Sequence, residues 1–399
     1  MTDFSVKFVS KKINKIRWRP KADVKSPPST TFATGSWDDQ QNSVCLWKIH
    51  DRIAPVQKDN PESALEHEPQ KVAEKSHVGD VLDMQYVSRD HLVVASSTGD
   101  VTLMKHCPIT EYASRDYLDV TSSTGDVTMT KYRPNKELLN TVFSWENVHH
   151  FASGANAPCT CLATRGDDWI ATSGEDGHIV IVAIGQKHPV QTIEKADSCT
   201  INALTFLKQS EILAVNSFGQ LKTFDLRQAS NKQTQIFSVT ENHVPLLCAD
   251  KHPGQEHIVA TGGGDGMLTI WDLRQEKFPM TLLEAHSGPM WEVKFHPHNP
   301  NHLFTCSDDG SLWHWDGSAF TSDLLPGFLS SKGKDTLNKT TGGITSPWLS
   351  LETSRHKLDI ASLLPNKSLP VNSLDIESST LLCGTDSETI YTIQLPMLN

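Results

Sequence analysis

Histidine and aspartate recur at matched positions along this chain, and a paired His and Asp is an arrangement that general acid–base catalysis uses. His286 precedes Asp309 by nearly the same interval as His243 precedes Asp265. A set that returns in successive segments does not make one active site, and buried polar groups must be paired in any case. The chain also lacks the phosphate-binding, zinc-protease and serine-hydrolase motifs. We therefore predict a structural role for these residues and no enzyme activity.

The elements that must position these residues are short β-strands joined by tight turns. One phrase returns along the chain: a β-rich run, a turn with Asp and Gly, and a second run ending in an aromatic residue and Asp. Its clearest copies span residues 260–272 and 304–316. Asp-Gly favours a tight hairpin because Gly accepts positive φ and Asp bonds the turn backbone. The turn glycines Gly177, Gly219, Gly266 and Gly310 are spaced by 42, 47 and 44 residues, a period typical of one propeller blade.

Weaker copies of the phrase begin near residues 34, 95, 171, 215 and 383, which makes seven in all. We therefore expect an all-β fold, a single seven-bladed β-propeller over residues 1–399. The N-terminal β run from Ser5 to Ser10 has no His-led run of its own, so it should supply the outermost strand of the last blade, residues 368–393. Two polar stretches without periodicity, about 55–75 and 318–346, are predicted to be excursion loops.

The repeated phrase resembles the WD repeat. In that family a His, a Ser or Thr on the next strand, the turn Asp and the strand Trp form a buried hydrogen-bonded network. The resemblance implies one network of His286, Thr305 or Ser307, Asp309 and Trp315, and another of His243, Thr261, Asp265 and Trp271. The segments 171–182 and 215–225 have Val182 and Phe224 near the position of the Trp, so we expect their networks to be incomplete.

Residues 86–108 recur 26 positions later as residues 112–134, with 15 of 23 aligned positions identical. This unit holds one hairpin and no His-led strand, so it is too short to add a blade. The first copy keeps an apolar pattern from Leu92 to Ala95, whereas the second copy has Asp119 and Thr121 there. We expect the first copy to lie in the blade and a duplicated hairpin insert, about 109–134, to protrude. An artefact of sequence assembly would give the same pattern.

Composition narrows the classes of partner. Asp and Glu number 47 and Lys and Arg 36, a net charge of −11 without an extended basic run, which argues against a nucleic-acid binder. The longest apolar run, Ile179 to Ile184, is too short to span a membrane, so direct membrane insertion is not expected. The eight cysteines lack the spacing of zinc or redox motifs. We predict free thiols, no metal and no cofactor.

Residues 8–20 and 290–316 resemble a more specific family, the forty-three-kilodalton WD-repeat nucleoporins. The similarity runs over almost the whole chain and departs from it at residues 112–134 and in the two predicted loops. The resemblance implies a non-catalytic scaffold subunit of the Y-shaped complex in the outer rings of the nuclear pore, supporting pore assembly and nucleocytoplasmic transport. It also implies docking on a helical nucleoporin of the short arm, location at the nuclear envelope, and presence at kinetochores in mitosis.

Trp291 is our candidate for the docking anchor. It lies six residues before the proline of Phe295-His296-Pro297, a position that lies near the narrow mouth of the propeller in related repeats. Leu247 and Leu82 fall at equivalent positions. A large aromatic side chain is a good anchor because its burial dominates interface energetics. Strand tryptophans also pack between blades, and that structural role is the alternative.

A second function class comes from Trp271, Asp272 and Arg274. Together with Leu273 they resemble the Trp-Asp-x-Arg box of WD-repeat substrate receptors of cullin-RING ubiquitin ligases, and Phe224 to Arg227 forms a partial copy. In that reading Arg274 makes charge-assisted hydrogen bonds to a propeller adaptor. Asp-x-Arg also follows the strand Trp in unrelated repeats, so a local structural role is the alternative.

Overall fold

The computed structural model describes residues 3–23, 25–49, 68–107, 118–121, 128–131, 138–228, 233–239, 243–275, 278–318, 346–349, 358–365 and 369–395. The strands are β1 (Asp3–Phe8), β2 (Ile13–Trp18), β3 (Thr31–Ser36), β4 (Ser43–Lys48), β5 (Gln70–Ser76), β6 (Val81–Tyr86), β7 (His91–Ser96), β8 (Val101–Cys107), β9 (Leu118–Thr121), β10 (Thr128–Lys131), β11 (Leu138–Trp145), β12 (Cys159–Arg165), β13 (Trp169–Gly174), β14 (Ile179–Ala183), β15 (Gln191–Ile193), β16 (Ile201–Lys208), β17 (Glu211–Asn216), β18 (Gln220–Asp225), β19 (Gln235–Ser238), β20 (Leu246–Lys251), β21 (Ile258–Gly263), β22 (Met267–Asp272), β23 (Thr281–Glu284), β24 (Met290–Phe295), β25 (His302–Ser307), β26 (Leu312–Asp316), β27 (Asp359–Ser362), β28 (Val371–Glu377), β29 (Thr380–Thr385) and β30 (Thr389–Gln394). A short 3₁₀ helix spans Pro347–Leu349, and no helix in these ranges has the length and apolar character that a bilayer crossing requires.

Seven four-stranded antiparallel sheets form the blades of a β-propeller, which confirms the predicted fold. In order from the inner to the outer strand, blade 1 is β2 to β5, blade 2 is β6, β7, β8 and β11, and blade 3 is β12 to β15. Blade 4 is β16 to β19, blade 5 is β20 to β23, blade 6 is β24 to β27, and blade 7 is β28, β29, β30 and β1. In every blade the turn of the repeated phrase joins the second and third strands, and in blades 3, 5 and 6 that turn is Asp-Gly.

The turn glycines also hold neighbouring blades together. Gly266 has φ 80°, and its carbonyl accepts the N–H of His286, at 3.0 Å, from the connection into blade 6. A Cβ atom on Gly266 would lie 2.2 Å from the carbonyl oxygen of His286. Glycine is required here because both the backbone conformation and the close approach exclude a side chain.

The N-terminal strand closes the ring, as predicted. β1 pairs with β30 from Asp3 with Gln394 to Phe8 with Thr389, so the last blade has its outer strand from the start of the chain. The strand lies two residues earlier than the predicted Ser5 to Ser10. Ser10 has φ 60°, which is incompatible with an extended strand and ends β1 before it.

Apolar side chains fill the spaces between neighbouring blades. Between blades 5 and 6, for example, Ile270 and Met290 pack in one buried cluster with Phe295, Trp315 and Trp348. Trp348 belongs to the short helix, and its indole N–H donates to the carbonyl of Pro300 at 2.7 Å. These contacts place the core between blades, so each blade depends on its two neighbours for stability.

The duplicated unit forms two separate hairpins. β7 and β8 of the first copy lie inside blade 2, whereas β9 and β10 of the second copy pair only with each other. After the second copy the chain returns as β11, which pairs with β8 from Leu138 with Cys107 onward. On this pairing we propose that about 109–134 is an insert in the connection between the third and fourth strands of blade 2.

The predicted excursion loops are only partly within the described residues. Of the stretch 55–75, residues 70–75 belong to β5, the outer strand of blade 1, so that part of the loop prediction was wrong. β5 lacks an apolar alternation because an outer strand at the propeller edge is largely exposed, and this polar pattern was mistaken for a loop. Residues 55–67 and 319–345 lie outside the described residues.

Deleting residues 109–134 should leave the propeller intact. The deletion leaves residue 108 and residues 135–137 to join the paired residues Cys107 and Leu138, and four residues suffice for a hairpin. Because closure entropy changes slowly with loop length, we expect the melting temperature to shift by no more than about 2 °C.

The matched control removes the same number of residues from the first copy, 86–111. The second copy would then occupy the blade and place Asp119 where Val93 is fully buried. An unpaired buried carboxylate is strongly destabilising, so this variant should lose several kcal/mol. Equal melting temperatures of the two deletion variants would contradict the assignment of the insert.

Candidate functional site at the channel mouth

A β-bulge interrupts the inner strand of every blade at the second residue of that strand. The seven bulged residues are Asn14, Leu82, Thr160, Asn202, Leu247, Trp291 and Asn372. A bulge turns a side chain out of the regular alternation of its strand. We call this ring of positions the channel mouth, since it lies where the inner strands begin around the central channel. The sequence analysis did not foresee the bulges, because they belong to the strand pairing.

Four of the mouth residues bind the next blade along the chain. Asn14 donates to the carbonyl of Val81 at 2.7 Å, and Asn202 donates to that of Leu246 at 2.8 Å. Thr160 and Asn372 make the corresponding bonds to Ile201, at 2.5 Å, and to Ile13, at 3.0 Å. In every case the acceptor is the first residue of the neighbouring inner strand. A polar mouth residue is therefore a fastener between blades.

The other three mouth residues are the predicted docking residues Leu82, Leu247 and Trp291. The structure brings them to the same end of the channel, where they replace the Asn or Thr that fastens the other blades. Trp291 is 36% exposed, and together with Leu247 it lines a channel cavity of about 350 Å³. These three apolar side chains carry no hydrogen bond to the next blade and face the mouth instead.

Carboxylates fasten the three blades that lack a polar mouth residue. Asp83 of blade 2 accepts the N–H of Leu162 at 2.8 Å, and Asp250 of blade 5 accepts that of Phe295 at 2.8 Å. Glu292 of blade 6, next to Trp291, accepts the N–H of Leu374 at 2.7 Å. Each acceptor bonds the inner strand of the following blade. Asp375 of blade 7 accepts the N–H of Trp18 at 2.7 Å in the same way, beside the polar mouth residue Asn372, so the carboxylate bond occurs with either kind of mouth residue.

Glu292 is also the centre of a buried ion cluster in the channel. Its carboxylate binds the guanidinium of Arg17 at 2.5 Å and the ammonium of Lys15 at 3.2 Å. Ser373 donates to it at 3.0 Å, and Asp83 lies 3.5 Å from Arg17. Burial would raise the pKa of Glu292, but the charges of Arg17 and Lys15 outweigh it and hold the pKa well below its usual range. The cluster joins blades 6, 7, 1 and 2 across the point of ring closure.

Asp250 has the opposite electrostatic environment. Burial raises the pKa of Asp250 to about 6, although the charge of Lys294 and the backbone N–H groups that donate to the carboxylate oppose the rise. Its ionised form is therefore disfavoured in the folded protein, unlike that of Glu292. The two carboxylates make the same type of inter-blade hydrogen bond, and the positive charges near each one decide its protonation.

In blade 6 the structure brings together all members of the network that the WD-repeat resemblance implied. Trp315 donates through Nε1 to Thr305 Oγ1 at 3.0 Å, and Thr305 Oγ1 lies 2.8 Å from His286 Nε2. The hydroxyl member is therefore Thr305 rather than Ser307. His286 Nδ1 reaches Asp309 through Ser311, at 2.7 Å and then 2.5 Å. A neutral His286 with its proton on Nδ1 satisfies every one of these bonds.

Ser311 is a network member that the sequence analysis missed. It stands between His286 and Asp309, whose nearest atoms lie 3.5 Å apart. Burial would raise the pKa of Asp309, but hydrogen bonds from Ser311 and from the N–H of Ser287 hold it well below its usual range. Ser311 lies two residues after the turn Asp309, so a hydroxyl residue at that spacing could have indicated the link between His286 and Asp309 from the sequence.

In blade 5 the implied network is incomplete, and its assignment of His243 and Asp265 was wrong. Trp271 donates to Thr261 Oγ1 at 2.8 Å, as expected. His243 instead has φ 49° and is exposed, with its ring edge-on to Phe218 at 5.2 Å between centroids. Asp265 accepts the N–H of Met267 within its own turn at 3.1 Å. The aromatic contact with blade 4 draws the histidine away from blade 5.

Blades 3 and 4 contain polar networks that the sequence analysis did not name. In blade 3, His149 lies 3.0 Å from Asp176 and 2.9 Å from Thr172. His149 lies farther before its inner strand β12 than His286 lies before β24, so its equivalence to His286 was not recognised in the sequence. In blade 4 the His position holds a buried Asp197, which accepts from Asn216 at 2.6 Å and pairs with Lys222 at 2.8 Å. Blade 4 thus replaces the aromatic network with an ion pair.

The residues of the alternative adaptor box form a local unit. Trp271 is fully buried in blade 5, while Asp272 binds Arg274 at 2.7 Å and leaves the arginine side chain 62% exposed. Asp225 and Arg227 of blade 4 repeat the same pairing at 2.8 Å. Two equivalent units show that the geometry arises from the Asp-x-Arg turn itself. It gives no support specific to an adaptor.

The eight cysteines are free thiols, and seven of them are buried. Cys199 is half-buried, and burial raises its pKa to about 11. Within the ranges that the structure describes, no group of three or more His, Cys, Asp or Glu side chains is placed to hold a metal ion.

Residues 232–272 and 277–316 match the WD domain, G-beta repeat family. With seven blades and these repeats, the chain is a WD-repeat propeller. It is 42% identical to "Nucleoporin Nup43" of Homo sapiens over an alignment of 405 residues that covers 98% of each chain. Identity to the Mus musculus protein of that name is also 42%, again with 98% coverage of each chain. "Nuclear pore complex protein nup43" of Dictyostelium discoideum is 24% identical over 55% of this chain and 50% of its own length. The chain belongs to the Nup43 family of WD-repeat nucleoporins.

Proposed function

We propose that this nucleoporin is a non-catalytic scaffold subunit of the outer-ring Y-shaped complex and docks through its channel mouth on a helical nucleoporin of the short arm. Membership of the Nup43 family supports a place in the nuclear pore complex. The proposal includes support of pore assembly and nucleocytoplasmic transport. It extends to kinetochores in mitosis, on the resemblance noted in the sequence.

The observation that carries the docking site is the set of three apolar mouth residues. Leu82, Leu247 and Trp291 stand where other blades have an Asn or Thr that bonds the next blade, and Asp83, Asp250 and Glu292 bond these three blades to their neighbours. An apolar residue at these positions therefore has no inter-blade hydrogen bond to make. A half-exposed tryptophan at the centre of a face is a typical binding hot spot.

Replacing Trp291 with alanine should weaken docking without unfolding the chain. A hot-spot tryptophan contributes at least about 2 kcal/mol, so we expect roughly thirtyfold weaker binding to purified short-arm nucleoporins. The measurement is the dissociation constant by biolayer interferometry, with melting temperature as the check on folding.

Phe278→Ala is the matched control. Phe278 is 69% exposed and lies in the connection between β22 and β23, at the opposite end of the propeller. Its loss should leave binding unchanged. Full binding by Trp291→Ala, or equal losses in both variants, would overturn the mouth as the docking site.

A further inference from the structure

The end of the propeller that contains the channel mouth is strongly acidic. We call this end the mouth face; it comprises the connections into each inner strand and the turns between second and third strands. Its exposed carboxylates are Asp38, Asp39, Glu146, Glu175, Glu194, Asp265 and Asp308. In the described part of this face the lysines are Lys11, Lys12 and Lys195, and no arginine is present. Lys12 is already paired with Asp38, at 2.5 Å, and Lys11 lies 3.7 Å from Glu74.

Among the residues that the structure describes at the opposite end of the propeller, acidic and basic side chains are balanced. Arg89, Arg227 and Arg274 lie there together with Asp167, Asp168 and Glu256. Most of the negative charge of the described loops is thus placed around the channel mouth, where its field acts on an approaching partner.

Phe218, Leu247 and Trp291 are three apolar side chains that follow one another over blades 4 to 6 of the mouth face, whereas the connections into blades 2, 3 and 7 expose one large apolar residue each, Val78, Phe151 and Leu369. Phe218 is 48% exposed and occupies the turn position that holds Asp176 in blade 3 and Asp309 in blade 6. It contacts the exposed ring of His243, at the boundary between blades 4 and 5. Leu247 of blade 5 and Trp291 of blade 6 continue the apolar surface toward the channel. The loss of one turn aspartate and the displacement of His243 together create this surface.

We propose that the mouth face of blades 4 to 6 binds a basic, amphipathic helix of the nucleoporin partner. Apolar side chains of that helix would contact Trp291, Leu247 and Phe218, and its Lys and Arg side chains would lie among the surrounding carboxylates. Charge complementarity selects a basic occupant because an acidic helix would meet carboxylates of its own sign. This inference rests on the proposed docking function and adds the chemistry of the partner segment.

The test compares charge reversals on the two ends of the propeller. Glu194→Lys combined with Asp308→Lys changes exposed mouth-face residues of blades 4 and 6 whose side chains make no hydrogen bond in the structure. Asp167→Lys combined with Asp168→Lys is the matched pair on the opposite end. Binding of the full chain to purified short-arm nucleoporins is measured at about 50 and 300 mM NaCl.

We expect the mouth-face pair to weaken binding about tenfold at the lower salt concentration, mainly through slower association, and the control pair to change it less than twofold. Higher salt should weaken binding of the wild-type chain and reduce the difference between it and the mouth-face variant. If the affinity changes neither with salt nor with the mouth-face charge reversals, the proposal of a basic partner helix is wrong, although docking itself still stands. Absence of any wild-type binding would instead overturn the proposed function itself.

Discussion

Replacing Glu292 with alanine should cost about 3–5 kcal/mol of folding free energy, because it leaves the guanidinium of Arg17 buried without its main counter-charge. The same change removes the acceptor for the N–H of Leu374 and for Ser373. The midpoint of urea unfolding measures the loss. Glu194→Ala, which removes an exposed carboxylate, should stay within about 0.5 kcal/mol of the wild-type chain.

A double variant separates the effect of an unpaired charge from the loss of packing. Arg17→Met combined with Glu292→Leu removes both members of the buried pair and should recover part of the stability lost in Glu292→Ala. A double variant as unstable as the sum of the two single changes would show that Arg17 and Glu292 act independently, contrary to the geometry of the cluster.

The contribution of Glu292 also depends on pH. Its pKa is lowered in the folded protein, so its stabilisation is present above the unfolded pKa of about 4.3 and is lost as the pH falls below it. The gap between wild type and Glu292→Ala should therefore narrow on acidification below about pH 4. Asp250 has the opposite sign: with a folded pKa of about 6, its ionisation lowers stability as the pH rises from about 4 to 6.

The second large effect is expected at Thr305. Thr305→Val keeps the shape of the side chain but removes the oxygen between Trp315 Nε1 and His286 Nε2. Each buried polar group left without a partner costs about 1–3 kcal/mol, so we expect a loss of about 2–4 kcal/mol in urea unfolding. Thr261→Val of blade 5 should cost about half as much, since only Trp271 depends on that hydroxyl.

Thr223→Val is the control for the chemistry of the substitution. Thr223 is fully buried in blade 4, and its hydroxyl has no hydrogen-bond partner. Valine there removes an unsatisfied oxygen and should be neutral or stabilising. Similar losses for valine at residues 305 and 223 would refute the role of the blade 6 network.

The number of blades could be predicted because each blade carries its own local signal. The Asp-Gly turns and the apolar runs beside them act within a few residues, so they do not depend on distant parts of the chain. The closing strand was also predictable, since one β run was left over at the N-terminus and one outer strand was missing. The end of that strand could not be predicted, because a serine gives no sign that its φ angle is positive, as it is at Ser10.

The polar networks were predictable only where the neighbouring blade does not interfere. His286 faces its own blade, but His243 is drawn to Phe218, a residue of another blade. The bulges at Asn14 and Trp291 were invisible for a similar reason, since a bulge is a mismatch between two paired strands. Trp291 was found through its spacing from a proline. The hydrogen bonds that Asp83, Asp250 and Glu292 accept from the following blade could be seen only in the structure.

The pairing of β1 with β30 joins strands that are far apart in the chain, since Phe8 pairs with Thr389, 381 residues later. At about 5–20 residues per second, β1 waits roughly 20–80 s before its partner strand is made. During that time the backbone N–H and C=O groups of β1 lack the strand that finally pairs with them. The ring can therefore close only after β30 has been made, and until then β1 is an unpaired strand.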